Sequence, residues 1–385
     1  MKKRVPVATL LFEYDERLGD SNEPVVLTLT EKKGFIPQEQ RFKKRLATED
    51  TSNYKVVRKF DIAYNQYLLW AGAIAQNKDW QEGIVSPAYP TFRVREGFDP
   101  RYVDWLLKGE PIRLRYDAIS FGAVPRRRRA KVSDFLSIDV PEPPPLSEQK
   151  RIAAILDAAD ALRAKRRETL AQLDTLLQST FLDMFGDPVT NPMGWALVKL
   201  GDCGAVITGN TPSRKRPEYY GDNIEWIKSD NINNPSFIIT TAEEHLSEKG
   251  VKVARIAPKG SILVTCIAGS PSCIGNAAVT NRKVAFNQQI NAFVPSEKVV
   301  TWYVFGVFFT GKNLIQKAST NSMKGMVSKS AFSGIQIPLP PLPLQRRFAA
   351  IVESAEQQKS RLRAHLTELD TLFASLQDRA FKGAL

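Results

Sequence analysis

Cysteine and histidine are scarce in this chain. Its 385 residues hold three of the first, Cys203, Cys266 and Cys273, and two of the second, His245 and His365. The cysteine count is odd and no C-x2-C pair exists. Both observations argue against a disulfide framework and a closed structural zinc site. Neither histidine sits in a recognisable motif, so Ser-His-Asp chemistry has no visible place. Long apolar runs are missing too. The longest, Trp302 to Thr310, is far below the ~20 residues of a membrane span. The basic start Met1-Lys2-Lys3-Arg4 is followed by Pro6, Glu13, Asp15 and Glu16, which leaves no apolar segment of a secretory signal. The expected location is cytoplasmic.

Chemical motifs are absent as well. There is no G-x-x-x-x-G-K-[ST] loop for nucleotide phosphates. The Asn/Asp-Pro-Pro-aromatic tetrapeptide of amino-methyltransferases is missing, with its Gly-rich cofactor loop; Asn191-Pro192-Met193-Gly194 is not that motif. No carboxylate-carboxylate-Lys nuclease set stands out. No catalytic residue and no metal ligand is assigned, and the chain reads as a recognition protein without its own chemistry.

What is present is ordinary globular composition with a basic surplus. Hydrophobic residues make up 43% and charged residues 25%, and the formal charge is +13. Such a length predicts about two to four domains. The charge favours a polyanionic partner, nucleic acid first and a membrane surface second.

The chain also repeats itself. Pro144-Pro145-Leu146-Ser147-Glu148-Gln149-Lys150-Arg151-Ile152-Ala153-Ala154-Ile155 returns as Pro340-Pro341-Leu342-Pro343-Leu344-Gln345-Arg346-Arg347-Phe348-Ala349-Ala350-Ile351, an offset of 196 without a gap. Leu173-Asp174-Thr175-Leu176 matches Leu369-Asp370-Thr371-Leu372 at the same offset. Upstream, Ser133 to Pro141 parallels Ser330 to Pro338. Weaker echoes join Trp105 with Trp302, and Lys59-Phe60-Asp61-Ile62 with Lys259-Gly260-Ser261-Ile262. An internal period of this size organises the whole fold.

From Ser147 to about Leu182 there is no Gly or Pro, and helix formers dominate. The apolar positions Ile152, Ile155, Ala159, Leu162, Leu173 and Leu176, and in the second copy Phe348, Ile351, Ala355, Leu362, Leu369, Leu372 and Leu376, recur at 3-4 spacing. This predicts a coiled-coil seam with polar interruptions at Arg166, Thr169, Gln358 and His365. Connectivity forces the two helices to run antiparallel if they share a seam. Strand-like runs occupy Phe60 to Asn65, Val85 to Val94, Ile224 to Lys228, Ser261 to Ile267, Val284 to Val294 and Phe332 to Pro338. The expected fold is α/β. Two mixed α/β recognition domains, 1–140 and 187–337, alternate with helical spacers, 141–186 and 338–385, about a pseudo-two-fold axis.

Two basic domains at a fixed separation suit duplex DNA, whose grooves recur every ~34 Å. The basic clusters are Arg126-Arg127-Arg128-Arg129, then Arg41-Phe42-Lys43-Lys44-Arg45, then Arg214-Lys215-Arg216 before Tyr219-Tyr220. Phosphate contact there would fix register; the plain alternative is a solvated face. Base reading needs bidentate groups on loops. Arg214, Lys228, Asn231, Asn276 and Lys324 qualify. Asn287-Gln288-Gln289, in a strand-like run, is read as structural, and Lys165-Arg166-Arg167 as a solvated face.

At this point the residues resemble a known family, the specificity subunit of type I restriction–modification systems. Pro340-Pro341-Leu342-Pro343-Leu344-Gln345, with a helix ending Ala380-Phe381-Lys382-Gly383-Ala384-Leu385, resembles that family's closing region. Trp195-Ala196-Leu197-Val198-Lys199-Leu200-Gly201-Asp202, then Gly209-Asn210-Thr211-Pro212-Ser213, then Ile224-Glu225-Trp226-Ile227-Lys228-Ser229-Asp230, resembles the opening of one of its target-recognition domains. Asp61-Ile62-Ala63-Tyr64-Asn65 and Gly83-Ile84-Val85-Ser86-Pro87-Ala88-Tyr89 resemble a first such domain, which lacks the Trp…Leu-Gly-Asp opening and the Gly-Asn-Thr-Pro-Ser loop. The resemblance implies a non-catalytic subunit. Each recognition domain would read one half of a split DNA target in the major groove. The helices would set the unread gap and dock two modification (methyltransferase) subunits, joined by two ATP-driven restriction subunits. S-adenosylmethionine, ATP and Mg would be bound by those partners, and no membrane is involved. A methyltransferase with degenerate motifs and a coiled-coil interaction protein without DNA preference are the rival classes.

Overall fold

A computed structural model describes residues 3–19, 24–31, 33–42, 50–122, 128–234, 236–320 and 325–385. The chain divides into two compact units, Met1–Lys165 with Leu366–Leu385, and Arg166–His365. Each mixes sheet with half of each of two long helices, Leu146–Phe185 and Leu342–Lys382.

In the first unit an antiparallel sheet runs in the order Leu11–Tyr14, Thr91–Val94, Ile62–Tyr64, Ile74–Gln76. Phe92 stands opposite both Glu13 and Ile62. Its ring and those of Tyr64 and Phe135 pack together at 4.9 to 5.7 Å. The strand Arg4–Pro6 pairs with Asp139–Pro141, so the start and finish of the α/β part are tied. Val7 N extends the tie by donating to Ile138 O at 2.9 Å.

The second unit repeats these moves. Its first sheet is ordered Gly204–Thr208, Ile290–Pro295, Ile262–Thr265, Ala277–Val279. Phe293 stands opposite Val206 and Ile262. Leu197–Lys199 pairs with Gln336–Pro338, and Leu200 N donates to Ile335 O at 2.8 Å. The echo of Lys59–Ile62 in Lys259–Ile262 falls on matching backbone. Phe60 and Gly260 both have positive φ, 74° and 85°, just before the central strands. Phe135 and Phe332, at matching repeat positions, are fully buried.

The units differ beside that sheet. The second unit has four further strands in the order His245–Leu246, Tyr220–Ile227, Val284–Phe286, Ile256–Ala257. Tyr220–Ile227 runs parallel to Val284–Phe286. The first unit has instead the two-stranded pairs Lys55–Arg58 with Glu82–Val85 and Leu27–Thr30 with Gly34–Pro37, and a parallel bridge from Val26 to Ile84.

Several sequence expectations need correction. Phe332 lies in a short helix, Lys329–Ser333, and only Gln336–Pro338 is strand. The run Val85 to Val94 is broken by a turn, and so is Val284 to Val294. Asn287-Gln288-Gln289 is that second turn: Asn287 Oδ1 accepts from Gln289 N at 3.1 Å, a local bond that competes with a strand ladder. The echo of Trp105 in Trp302 is out of step. The N-cap residues of the helices Pro100–Lys108 and Thr301–Thr310 are Asp99 and Val300, which sets Tyr102 beside Tyr303 in the alignment and Trp105 beside Gly306.

The long helices begin where the proline pairs stop being compatible with a helix. Pro145 O and Pro341 O each accept the first intrahelical bonds. Gln149 and Gln345 then bridge outward. Gln149 Nε2 donates to Pro144 O at 2.8 Å, and its Oε1 accepts from Asp99 N at 2.9 Å. Gln345 does the same with Pro340 O and Val300 N, at the same distances. Burial along the helices departs from the predicted seam. Ile152, Leu156, Leu177, Phe181, Phe348, Val352 and Phe373 are buried, whereas Leu162, Leu176, Ile351, Leu372 and His365 are exposed. The buried positions nearer the middle of the second helix include Glu356 and Lys359. An apolar stripe of period 3.5 drifts around a straight helix of 3.6 residues per turn, so a fixed 3-4 spacing does not name the buried face over ten turns.

Candidate nucleic-acid interface

The densest meeting of predicted residues is in the second unit. Gly209 opens the loop toward Ser213, and a Cβ there would stand 2.1 Å from Asn287 O, so only glycine fits. The loop is held by two aromatic groups from the strand Tyr220–Ile227. Tyr220 OH donates to Pro212 O at 2.7 Å, and Trp226 Nε1 donates to Asn210 O at 3.2 Å. Those rings then carry Arg214. Its guanidinium lies 4.4 Å from the Tyr220 ring centre and 5.1 Å from that of Trp226. Lys228, at the end of the strand, lies 5.4 Å from the Trp226 ring.

Glu244 joins the two cations. Arg214 Nη2 donates to its Oε2 at 2.6 Å, and Lys228 Nζ donates to its Oε1. The Lys228 bond, with Arg214 beside it, holds the Glu244 carboxyl below its usual range against the opposing effect of burial. One carboxylate therefore orients two donors that keep further N–H groups. That geometry suits phosphate oxygens or the acceptor edge of guanine. Arg216 Nη1 donates to Tyr219 OH at 3.0 Å, and Lys215 is exposed beside it.

Asn231 has a different role from the one its loop position suggested. It is buried; its Oδ1 accepts from Lys228 N at 2.9 Å, and its Nδ2 donates to Thr240 Oγ1 and Thr241 O. Both its amide atoms serve to fold the loop behind Lys228. Asn276 belongs to a separate group, where it donates to Asn233 Oδ1 at 2.8 Å and accepts from Lys312 Nζ.

In the first unit Arg128 and Arg129 clamp a turn. Arg128 donates to Asp117 Oδ1 and to Asp117 O, both at 2.7 Å, and lies 5.5 Å from the Trp70 ring. Arg129 Nε donates to Gln66 Oε1 at 2.7 Å, 5.6 Å from the Tyr67 ring. Arg41 Nη1 donates to Leu29 O at 2.7 Å. Lys43, Lys44, Arg45, Arg126, Arg127 and Lys324 lie outside the described residues.

Two charged groups escaped sequence reasoning. In the first unit Arg58 and Arg93 both donate to Glu16. Arg93 lies 4.2 Å from the Tyr14 ring, and Tyr14 OH donates to Asp61 Oδ2 at 2.6 Å. The Arg58 bonds take the Glu16 carboxyl down to about 2. In the second unit Arg282 is bidentate on Glu225. Glu16, Glu225 and Glu244 sit in no motif, and Glu244 is 30 residues from Arg214. Among the described residues no group of three or more His, Cys, Asp or Glu could hold a metal ion, and no helix is long and apolar enough to cross a membrane.

Two α/β units, each sharing two long helices, present arginines backed by aromatic rings. Residues 192–369 match the type I restriction modification DNA specificity domain. The chain is similar to the MjaIX specificity subunit of Methanocaldococcus jannaschii, 32% identical over 42% of this chain and 38% of the relative. It is also similar to the HindI specificity subunit of Haemophilus influenzae, 26% identical over 62% of this chain and 50% of the relative. The matches thus span half or less of these relatives. The fold is that of the type I restriction–modification S subunit from M. genitalium, with TM-score 0.61, 14% identity, and cover of 99% of this chain and 96% of that one. A second solved chain, from work on assembly and conformational transition of a type I R-M system, gives TM-score 0.55 at 19% identity, covering 100% and 98%.

Proposed function

We propose that this chain is the DNA-reading, non-catalytic subunit of a type I restriction–modification assembly. The observation that carries the reading is the Arg214–Glu244–Lys228 group on its Tyr220 and Trp226 platform, which lies inside the matched span 192–369. Each α/β region, 1–140 and 187–337, reads one half of a split target. The stretches 141–186 and 338–385 form an antiparallel coiled-coil spacer about a pseudo-two-fold axis. The repeated strand order and the paired Gln149 and Gln345 bridges support that symmetry.

Two modification subunits dock on the helices, and two restriction subunits join them. Exposed Leu176 and Leu372, at equivalent repeat positions, support two equal docking sites. S-adenosylmethionine, ATP and Mg belong to those partners. The test is to map methylated adenines in a host carrying this chain and its modification partner. A split, asymmetric motif with a fixed gap is expected. Turnover of S-adenosylmethionine by this chain alone would overturn the reading.

A further inference from the structure

The middle of the helix pair is held by charges. In the first unit Arg163 donates to Asp370 Oδ1 at 2.7 Å and to Asp160 Oδ1 at 2.8 Å, with its guanidinium 4.2 Å from the Phe373 ring. In the second, Lys359 lies 2.6 Å from Asp174 Oδ1 and 2.5 Å from Glu356 Oε1, with its ammonium 3.6 Å from the Phe237 ring. Each triad has a base, an acid three residues before it on the same helix, and an aspartate on the other helix. Asp160, Arg163 and Asp174 correspond to Glu356, Lys359 and Asp370 at the repeat offset of 196.

The spacing makes these contacts selective. On both helices the base precedes the aspartate by eleven residues, three turns on one face. Each bond therefore demands the same antiparallel register as the other. A slip of one heptad in one direction would set Lys359 against Arg167 and Arg163 against Arg363. A slip in the other direction would set Lys359 against Phe181 and Arg163 against Gln377. The first slip juxtaposes like charges twice. The second takes Asp174 away from a lysine that is 1% exposed and leaves it only Glu356 of its own helix. Leu162, Leu176 and Leu372 face solvent and add no apolar penalty to such slips.

We infer that Arg163–Asp370 and Lys359–Asp174 are the register locks of the helix pair, and so the residues that fix the length of the unread gap in the DNA target. The inference rests on the reading of the helices as a ruler between half-sites. One heptad of slip moves the helices about 10 Å, about three base pairs of duplex. The aspartates select the register and the aromatic rings shield the cations from water.

The test compares three full-length chains, each assembled with its modification partner, on duplexes whose gap is native or changed by one to three base pairs. They are the parent, the double variant Arg163→Met/Lys359→Met, and the swap Lys359→Asp/Asp174→Lys. Methionine keeps the volume and removes the cation while Asp174 and Glu356 stay, so the double variant is expected to fold with a melting temperature below the parent's. It should keep its base preference in each half-site and lose the preference for the native gap by about tenfold, within the coupling expected of touching charges. The swap should recover most of that preference. A double variant as selective for gap length as the parent would overturn the locks. A parent chain with no gap preference would overturn the ruler itself. Coupling between Lys359 and Asp174 in unfolding of the single and double variants then reports the lock separately.

Discussion

The two units solve one problem alike and another differently. Both tie the start and finish of the α/β part with a three-residue strand pair, and both seat a buried phenylalanine, Phe135 or Phe332, behind the finish. Both use a buried glutamine to connect a proline carbonyl with the N-cap N–H of a neighbouring helix. They part company at the second sheet. The second unit extends Tyr220–Ile227 over eight residues and sets aromatic rings under its cations. The first keeps a two-stranded pair there and gathers Arg58 and Arg93 around Glu16. What the repeats share is where buried backbone groups had to be satisfied. What they do not share is the charged surface, with Arg214 and Lys228 around Glu244 in one and Arg58 and Arg93 around Glu16 in the other.

The largest effects should come from cutting the shared core at equivalent points. Phe135→Ala and Phe332→Ala should each cost about 3–5 kcal/mol, measured by urea unfolding. Unequal losses would show that the two seats are not equivalent. Gln149→Ala and Gln345→Ala come next. Each leaves a buried N–H and a buried carbonyl without a partner, at about 1–3 kcal/mol per group. Near-equal shifts in the midpoint are expected.

A smaller effect separates Phe60 from Gly260. At φ 85° an added Cβ meets nothing closer than Thr301 Oγ1 at 3.8 Å, so Gly260→Ala isolates the backbone cost, about 1 kcal/mol. The smallest effect concerns acid. The Glu16 carboxyl is held near 2 by Arg58, below its unfolded value. Its contribution is fully present above the ordinary carboxylate range and is lost as pH falls through about 2. Glu16→Gln should flatten the acid limb of the first unit's unfolding curve, followed by circular dichroism from about pH 5 down to about pH 2.

Much of the frame is legible in the sequence. The repeat carries it, because Gln149 and Gln345 recur at one offset with their prolines, and a helix without Gly or Pro leaves little choice. The seam is not legible at Leu162, Leu176, Ile351 and Leu372, since period alone does not say which face meets a partner. The candidate interface is half legible. Arg214 and Lys228 stand out as bases on loops. Glu244 does not, because a lone glutamate 30 residues away becomes a partner only when the sheet folds. Asn231 misleads because loop composition does not distinguish a residue that reads a ligand from one that builds the loop.

The central claim is that each unit addresses its own half of one target. The direct measurement is binding of the assembled protein to duplexes carrying every single-base substitution, at two salt concentrations. Arg214→Ala should relax bases in one half only, costing about 1–3 kcal/mol against the cognate base. Arg128→Ala/Arg129→Ala should weaken all duplexes alike and flatten the salt slope by about 0.9 log units for each phosphate no longer neutralised. Relaxation spread evenly over both halves by Arg214→Ala would contradict the account.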